Sequence, residues 1–270
     1  MDTATGNPCN GIGGQSYPNS GQDVVFEGFA LELDINVTIG SYDQTGDYLV
    51  IGNGDPTLTV KDNFTVASGS QASTFSSDQF SNIVSSGTID VNGNVINNGN
   101  LNIKREDTAG SIGEFRIGGN FTNDGSLNAI TYSNRKPGTV VFDGGVSQSV
   151  SGTSDFTVGS AIQILKVEGT GTAVTFGPDL EITEASSSVE SGAELIVNGS
   201  LDASPSTTGG SIGGAGTITL NGTVAALTLN GTTQTIGGSG EITDLTVTSG
   251  SGVTIASGSS LKVPGDLDVD

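Results

Sequence analysis

The sequence lacks the residues on which many enzyme sites and disulfide frameworks depend. It has no histidine, no tryptophan and one cysteine, Cys9. Without histidine the commonest general base is missing, and a single cysteine cannot form an internal disulfide. Without tryptophan, tyrosine is the remaining amphipathic ring for stacking on a sugar. These absences argue against a catalytic centre, and the sequence assigns no function to Cys9.

Positive charge is also scarce. The chain has 8 Lys and Arg against 29 Asp and Glu, which gives a net charge of -21. Such an acidic surface repels phosphate backbones, so nucleic acid is not an expected partner. No run approaches the roughly 18 apolar residues of a spanning helix, so direct membrane insertion is not expected either. The cations are scattered, and only Lys104-Arg105 and Arg135-Lys136 are adjacent pairs.

Hydrophobic residues make up 33% of the chain, well below the roughly 45% or more that is typical of a globular core. A compact core of helices is therefore not predicted. Low hydrophobicity combined with high net charge is typical of disordered chains. Here, however, apolar and polar residues alternate at a period of two, which favours short strands over disorder.

Short alternating runs recur in the same order in two parts of the chain, and two copies of one pattern indicate a repeat protein. The matched segments are Gly138–Phe142 with Gly216–Leu220, Ser147–Gly152 with Thr233–Gly238, Leu165–Val167 with Leu245–Val247, and Val174–Phe176 with Val253–Ile255.

These runs predict an all-β protein, specifically a parallel β-helix (β-solenoid). Asn-Gly turns between alternating runs are also typical of antiparallel hairpins, so an up-and-down sheet is the alternative. Strands of three to five residues are too short for a stable sandwich in such number, whereas stacked coils bury each apolar column continuously. We expect a right-handed helix of about a dozen short coils.

The same pattern predicts the domain organisation. Residues 1–22 contain many turn formers and little apolar periodicity, which is typical of a linker or an irregular cap. Residues 23–270 are predicted to form a single β-solenoid, with an unbroken alternating run at Leu31–Ile39 and an irregular excursion near residues 67–83. Because the strand-like pattern is still present at Leu267–Asp270, we expect the natural protein to continue.

The repeated pattern resembles the repeats of large secreted surface proteins of Bacteroidetes. It reads G-T-V/I-x-F/L, S/T-Q-S/T-V/I-x-G, L-x-V, G-x-x-V-T-F/I and L-x-V/I, and it lies in Gly138–Ile182 and Gly216–Val269, with a weaker form in Gly113–Ala129. The resemblance implies a β-solenoid of the hemagglutinin-like or autotransporter-like adhesin type, located at the cell surface. It supplies no catalytic residue. The first hundred residues depart from the pattern, which leaves open a different solenoid, such as a phage fibre or a sheath subunit.

Two groups of carboxylates are candidate cation ligands, but neither is assigned as a metal site. Asp266, Asp268 and Asp270 alternate along a strand-like run, so they lie about 6.6 to 7 Å apart on one face. That spacing is too wide for one ion within a strand, although neighbouring coils could share ligands. The second group is Asp43, Asp47 and Asp55. A solvated acidic face explains both groups, and weakly held Ca²⁺ is the most that they predict.

The sequence therefore predicts a non-enzymatic extracellular scaffold, a secreted β-solenoid segment of a larger bacterial cell-surface adhesin or fibre. Its expected partners are further coils of the same polypeptide or copies joined end to end, together with surface glycans or other cell-surface proteins. No catalytic, cofactor-binding or metal residue is assigned. The alternative is a polysaccharide-binding or polysaccharide-cleaving β-helix with a groove at the excursion. Such enzymes need clustered acids or a base beside cations, which the scattered cations here disfavour.

Overall fold

The protein is all-β over the residues that the computed structural model describes, which contain no helix. These residues are 21–27, 30–33, 35–46, 48–51, 55–74, 87–106, 113–127, 135–157, 161–184, 186–203, 210–248 and 250–269. The chain divides into two compact units, unit 1 (Met1–Gly138) and unit 2 (Thr139–Asp270).

Unit 1 contains sixteen described strands, most of them three or four residues long. They are β1 (Val24–Phe26), β2 (Ala30–Leu33), β3 (Val37–Ile39), β4 (Tyr42–Gln44), β5 (Tyr48–Ile51), β6 (Thr57–Val60), β7 (Phe64–Val66), β8 (Gln71–Ser73), β9 (Thr88–Val91), β10 (Val95–Asn97), β11 (Asn100–Asn102), β12 (Lys104–Glu106), β13 (Glu114–Ile117), β14 (Phe121–Asn123), β15 (Ser126–Leu127) and β16 (Arg135–Pro137).

Successive strands of unit 1 visit three parallel sheets in a repeating order. Sheet A has the order β1-β4-β7-β10-β14, sheet B the order β2-β5-β8-β11-β15, and sheet C the order β3-β6-β9-β13. One coil is a full round of the three sheets. Each strand therefore pairs in parallel with the equivalent strand of the next coil, as β1 does with β4, β2 with β5 and β3 with β6. This arrangement is consistent with a parallel β-helix. Strands β12 and β16 stand apart and form an antiparallel pair.

The core of unit 1 consists of columns of stacked side chains. In sheet A, Tyr42, Phe64, Val95 and Phe121 are register partners in turn, and each is at most 2% exposed. The rings of Tyr42 and Phe64 stack with their centroids 5.4 Å apart. Because alternate residues of a strand point to opposite faces, one or two apolar residues per strand are enough to build a column. This explains how a chain with so few hydrophobic residues still has a core.

Unit 2 contains fifteen described strands. They are β17 (Thr139–Phe142), β18 (Ser147–Ser151), β19 (Ile164–Val167), β20 (Ala173–Phe176), β21 (Leu180–Glu181), β22 (Ser187–Val189), β23 (Glu194–Val197), β24 (Leu201–Ala203), β25 (Ile212–Gly214), β26 (Thr217–Leu220), β27 (Thr223–Leu229), β28 (Gln234–Gly238), β29 (Glu241–Val247), β30 (Val253–Ile255) and β31 (Leu267–Val269).

These strands form two parallel sheets. Sheet D has the order β18-β20-β23-β26-β28-β30, and sheet E contains β17-β19-β22-β25-β27-β29-β31, with β21 and β24 leading to the first half of β27. Strand β27 is seven residues long because it pairs with two different strands of the preceding part of the unit, β24 and β25. Its residues Val224 to Leu227 pair with β24, whereas Leu229 pairs with Ile212 of β25.

The structure confirms the prediction of an all-β protein with parallel sheets and corrects three details. The run Leu31–Ile39 is not one strand, because the chain turns between β2 and β3, where Asn36 Oδ1 accepts a hydrogen bond from Thr57 N–H (2.8 Å). The matched segments Gly138–Phe142 and Gly216–Leu220 lie in different sheets, E and D. Strands are not limited to five residues, since β27 and β29 each have seven.

Parts of the predicted domain organisation lie outside the described residues. These parts are residues 1–20 of the predicted cap, with Cys9, and residues 75–83 of the predicted excursion. Within the excursion, Gln71–Ser73 forms the regular strand β8 of sheet B. The single solenoid over residues 23–270 stays a prediction.

Candidate functional site

Polar side chains at the corners fix the register between successive coils. In unit 1, Asp23 Oδ1 accepts a hydrogen bond from Ser41 N–H (3.1 Å), and Asn63 Oδ1 accepts one from Asn94 N–H (3.2 Å). Asn94 Oδ1 in turn accepts one from Asn120 N–H (2.9 Å). Each of these residues directly precedes a strand of sheet A. Because the bonds join equivalent positions of neighbouring coils, we assign these polar residues a structural role.

A buried amide pair has the same role inside unit 1. Asn97 and Asn123 are register partners in sheet A, and both are 0% exposed. Asn97 Nδ2 donates to Asn123 Oδ1 (2.7 Å) and to the carbonyl oxygen of Ser126 (3.1 Å). Asn97 Oδ1 accepts from Gly99 N–H (3.3 Å). Buried polar groups require such partners, so we assign this pair the structural role of holding two coils together.

Tyr42, the most deeply buried titratable group that the structure describes in sheet A, is also structural. Its hydroxyl donates to Gln44 Oε1 (2.5 Å), and Gln44 Nε2 donates to the carbonyl oxygen of Gly46 (2.8 Å). Burial, and to a smaller extent the charge of Asp43, raises the pKa of the Tyr42 hydroxyl well above its usual value. The hydroxyl therefore remains protonated and continues to donate.

Two of the connections from sheet B to sheet C in unit 1 are much longer than the other connections, although β2 and β3 are joined by only three residues. Connections from C to A have two or three residues, and those from A to B have two to four. By contrast, residues 74–87 join β8 to β9, and residues 103–113 join β11 to β13. Insertions in repeat proteins collect on one face, which is often the binding face. We therefore take the B-to-C corner of unit 1 as the candidate functional site.

Strands β12 and β16 form an antiparallel pair at this corner, which we call the basic ribbon (residues 104–106 and 135–137). At its base, Gly138 N–H donates to the carbonyl oxygen of Ile103 (3.1 Å). The opposed residues are Lys104 with Pro137, Arg105 with Lys136, and Glu106 with Arg135. The two basic pairs that are separate in the sequence thus meet, and the ribbon contains four of the chain's 8 Lys and Arg residues. The sequence-based view that the cations are scattered is wrong for these four.

The other four cations do not form a comparable cluster. Arg116 Nη1 lies 3.2 Å from Glu114 Oε2, and Lys166 Nζ lies 3.9 Å from Glu168 Oε1. The remaining two are the exposed residues Lys61 and Lys262. Four of the chain's 8 Lys and Arg residues thus belong to the paired strands β12 and β16, in a chain whose net charge is -21.

A second surface feature is the apolar edge formed by β30 and β31 in unit 2, which we call the exposed edge. Ile255 is 56% exposed, Leu267 61% and Val269 66%. Their register partners one coil earlier include Ile236 and Leu245, which are 1% and 6% exposed. No described strand pairs with β30 or β31 on the far side. These three apolar side chains thus extend the strand register of the unit and are covered by no described strand.

Those candidate cation ligands that the structure describes do not converge. Asp266 N–H donates to Asp244 Oδ1 (3.3 Å), and Asp268 lies on the exposed strand β31. Asp43 lies on β4, and Asp55 is an exposed turn residue with φ 53° before β6. Asp47 and Asp270 lie outside the described residues. Within the described part of the chain, no group of three or more Cys, Asp and Glu side chains could hold a metal ion.

Comparison with family models, characterised proteins and solved structures found no match to this chain. The described residues also contain no helix that is long and apolar enough to cross a membrane. The in-register columns and the exposed edge are the features from which function is inferred.

Proposed function

We propose that the protein is a non-enzymatic extracellular scaffold, a segment of a secreted bacterial cell-surface adhesin or fibre built as a right-handed β-helix of about a dozen coils. The observation that carries this proposal is the set of in-register columns, such as Val174, Leu195, Ile218 and Ile236 in sheet D, each at most 1% exposed. Five strands in sheet A and six in sheet D each mark one coil. Connections between parallel strands of one sheet are almost always right-handed, which favours a right-handed β-helix.

Such a structure holds its contact sites at fixed distances, so that several of them can bind a partner at once. The inward columns use the apolar residues, so the outward positions are free to be polar. Sheet D illustrates this, because Thr175 and Thr219 alternate with the buried columns and are half-buried. We propose that the exposed edge joins a second copy of the chain end to end, since Ile255, Leu267 and Val269 already stand in the register of a further coil.

Two measurements test the scaffold proposal: whether the protein lies on the cell surface, and whether it cleaves polysaccharides. Intact source cells are labelled with a membrane-impermeant reagent, and the purified chain is incubated with a panel of neutral and acidic polysaccharides. The expected result is labelling of the protein on intact cells and no release of reducing ends. Labelling only after lysis, or release of reducing ends from any polysaccharide, would overturn the proposal.

A further inference from the structure

The outward side of sheet D consists of two columns of side chains, which we call the threonine face. The strands from β18 to β30 pair without a shift of register, so the outward residues stack from coil to coil as the core residues do. The first column is Ser147, Ala173, Glu194, Thr217, Thr235 and Thr254, and the second is Ser149, Thr175, Ile196 and Thr219, followed by the buried Gly237. Threonine is the commonest residue in each column.

The threonine hydroxyls of this face are accessible to a ligand. The threonines are half-buried or exposed, and they are Thr175, Thr217, Thr219, Thr235 and Thr254. The hydroxyl of Thr219 donates to Glu194 Oε1 (2.6 Å). The hydroxyls of the other four make no hydrogen bond to another residue that the structure describes. Each therefore offers one donor and two acceptor lone pairs to a molecule outside the chain.

The composition of the threonine face disfavours the usual partners of a protein surface. Glu194 is its one charged residue, in a chain with 29 Asp and Glu, and the Thr219 hydroxyl already binds that carboxylate. Its columns contain no aromatic ring on which a sugar could stack. They also contain none of the Trp, Tyr and Arg side chains that anchor protein interfaces, and Ile196 is their one large apolar residue. The remaining recognition groups are hydroxyls and methyls at regular intervals.

The spacing of these groups forms a two-dimensional lattice. Neighbouring strands lie about 4.7 to 4.9 Å apart, and residues two apart along a strand are separated by about 6.6 to 7 Å. Thr217 and Thr235 are separated by one strand spacing, and Thr217 and Thr219 by two residues of one strand. The water oxygens on the prism face of ice form a rectangular lattice whose two repeat distances are close to these. Water that bridges the threonine hydroxyls can therefore occupy positions that continue the crystal.

We propose that the threonine face of unit 2 adsorbs to ice. Thr217, Thr235 and Thr254 are register partners on three successive strands and form the central contacts. Thr175 and Thr219 extend the lattice in the second column. Each contact through water is weak, but contacts held at fixed distances bind together. This function goes beyond the scaffold and does not rest on it, because the face can bind a crystal whether the protein is attached to a cell or free in solution.

The test measures the incorporation of the purified full chain into a slowly growing ice crystal, together with thermal hysteresis. The wild type should be enriched in the ice relative to an added protein without affinity for ice, and it should halt the growth of a small crystal over a measurable temperature gap. Thr235→Lys places a long charged side chain at the centre of the face and should abolish both effects. The matched variant Thr243→Lys makes the same change at an exposed threonine of β29 in sheet E and should behave like the wild type.

The melting temperature checks that each variant folds. If Thr235→Lys does not fold, Thr254→Lys makes the same change at the exposed end of the column and should also abolish both effects. A wild type that is not enriched in ice would overturn the proposal, as would equal enrichment of a folded Thr235→Lys or Thr254→Lys, or a loss of enrichment in folded Thr243→Lys.

A neutral polysaccharide surface is the other regular array of hydroxyls that the test distinguishes. Retention of the wild type on microcrystalline cellulose or chitin, abolished by Thr235→Lys and accompanied by no enrichment in ice, would overturn the proposal because a sugar surface would then be the ligand. The scaffold proposal would stand in each of these cases, since cell-surface labelling and polysaccharide cleavage test it separately.

Discussion

Ile255 is the parallel register partner of Ile236, yet the two side chains differ in burial. Ile236 is 1% exposed and Ile255 is 56% exposed. The difference arises because β30 covers β28, whereas no described strand covers β30. Burying a side chain of this size stabilises by about 1.5 to 3 kcal/mol. The exposed edge is therefore a source of free energy for association.

The variant Ile255→Lys should reduce end-to-end self-association. A charged side chain in a core column would be buried without a partner when a second copy adds to the edge. Sedimentation velocity over a range of concentrations should show larger species for the wild type and mainly monomer for Ile255→Lys. Val146 is also 56% exposed but precedes β18, away from the edge, so Val146→Lys is the matched control and should associate like the wild type.

Salt should strengthen this self-association. Asp266 and Asp268 border the exposed edge, and Asp23 and Glu27 flank β1. Copies that join through these strands bring like charges together, and added salt screens the repulsion. A wild type that stays monomeric at every concentration and salt level would contradict the proposal, as would equal association of Ile255→Lys.

The variant Asn97→Ala should destabilise unit 1. It removes the donor to Asn123 Oδ1 and to the Ser126 carbonyl and leaves buried acceptors unsatisfied. The expected loss is about 1 to 3 kcal/mol, measured by urea unfolding. The neighbouring residue Asn98 is exposed, so Asn98→Ala should change the free energy of unfolding by less than about 0.5 kcal/mol. Equal effects of the two substitutions would show that the amide pair does not hold the coils together.

The variant Gly222→Ala should destabilise unit 2, because a Cβ at this position would overlap the carbonyl oxygen of Gly199 in the preceding coil. The expected loss is at least about 1 to 3 kcal/mol, visible as a lower melting temperature. Gly177 lies in the equivalent connection between sheets D and E, and a Cβ there would lie 3.5 Å from the Val150 carbonyl oxygen. Gly177→Ala should therefore be nearly neutral, and a large effect there would count against the close stacking of coils at Gly222.

The stability of unit 2 should include a contribution from Glu181 that depends on pH. Burial raises the pKa of Glu181, and the carboxylate of Asp202, its partner in the parallel pair β21 and β24, raises it further. The folded state therefore holds the proton more tightly than the unfolded chain does. This contribution is unfavourable at neutral pH, is relieved as pH falls through the raised folded pKa, and stops changing below the usual pKa of glutamate.

The measurement for Glu181 is the melting temperature of the wild type and of Glu181→Gln from neutral to mildly acidic pH. Glu181→Gln should be the more stable protein at neutral pH, and the difference should shrink on acidification. Asp202→Asn removes the second cause of the shift and should give a smaller change in the same direction. A difference between wild type and Glu181→Gln that does not vary with pH would contradict this account.

Much of the fold could be predicted because each strand carries its own signal. Alternating residues such as those of Phe64–Val66 and Val95–Asn97 predict strands, and recurrence in the same order predicts parallel stacking. Asn97 was harder to place. Within the run Asn97-Asn98-Gly99 it has the composition of a turn, yet it ends β10 with its side chain inside the core. Its buried partner on the next coil supplies the hydrogen bonds that make this position favourable, and single-sequence patterns do not show such a partner.

The basic ribbon could not be predicted from the sequence because its strands lack apolar alternation. Residues 104–106 and 135–137 are each rich in charge and pair across a long separation in the chain. The available signal was that Lys104-Arg105 and Arg135-Lys136 are the two adjacent cation pairs of an acidic chain. Both follow a strand of sheet B, and only the topology shows that successive coils bring them to the same corner.

The most direct test of the parallel stacking is an experimental electron-density map of unit 2. The map should show Leu195 between Val174 and Ile218, on three strands that run in the same direction and keep this register. Neighbouring strands that run in opposite directions, or two facing sheets joined by tight turns, would contradict the stacked columns and the scaffold function inferred from them.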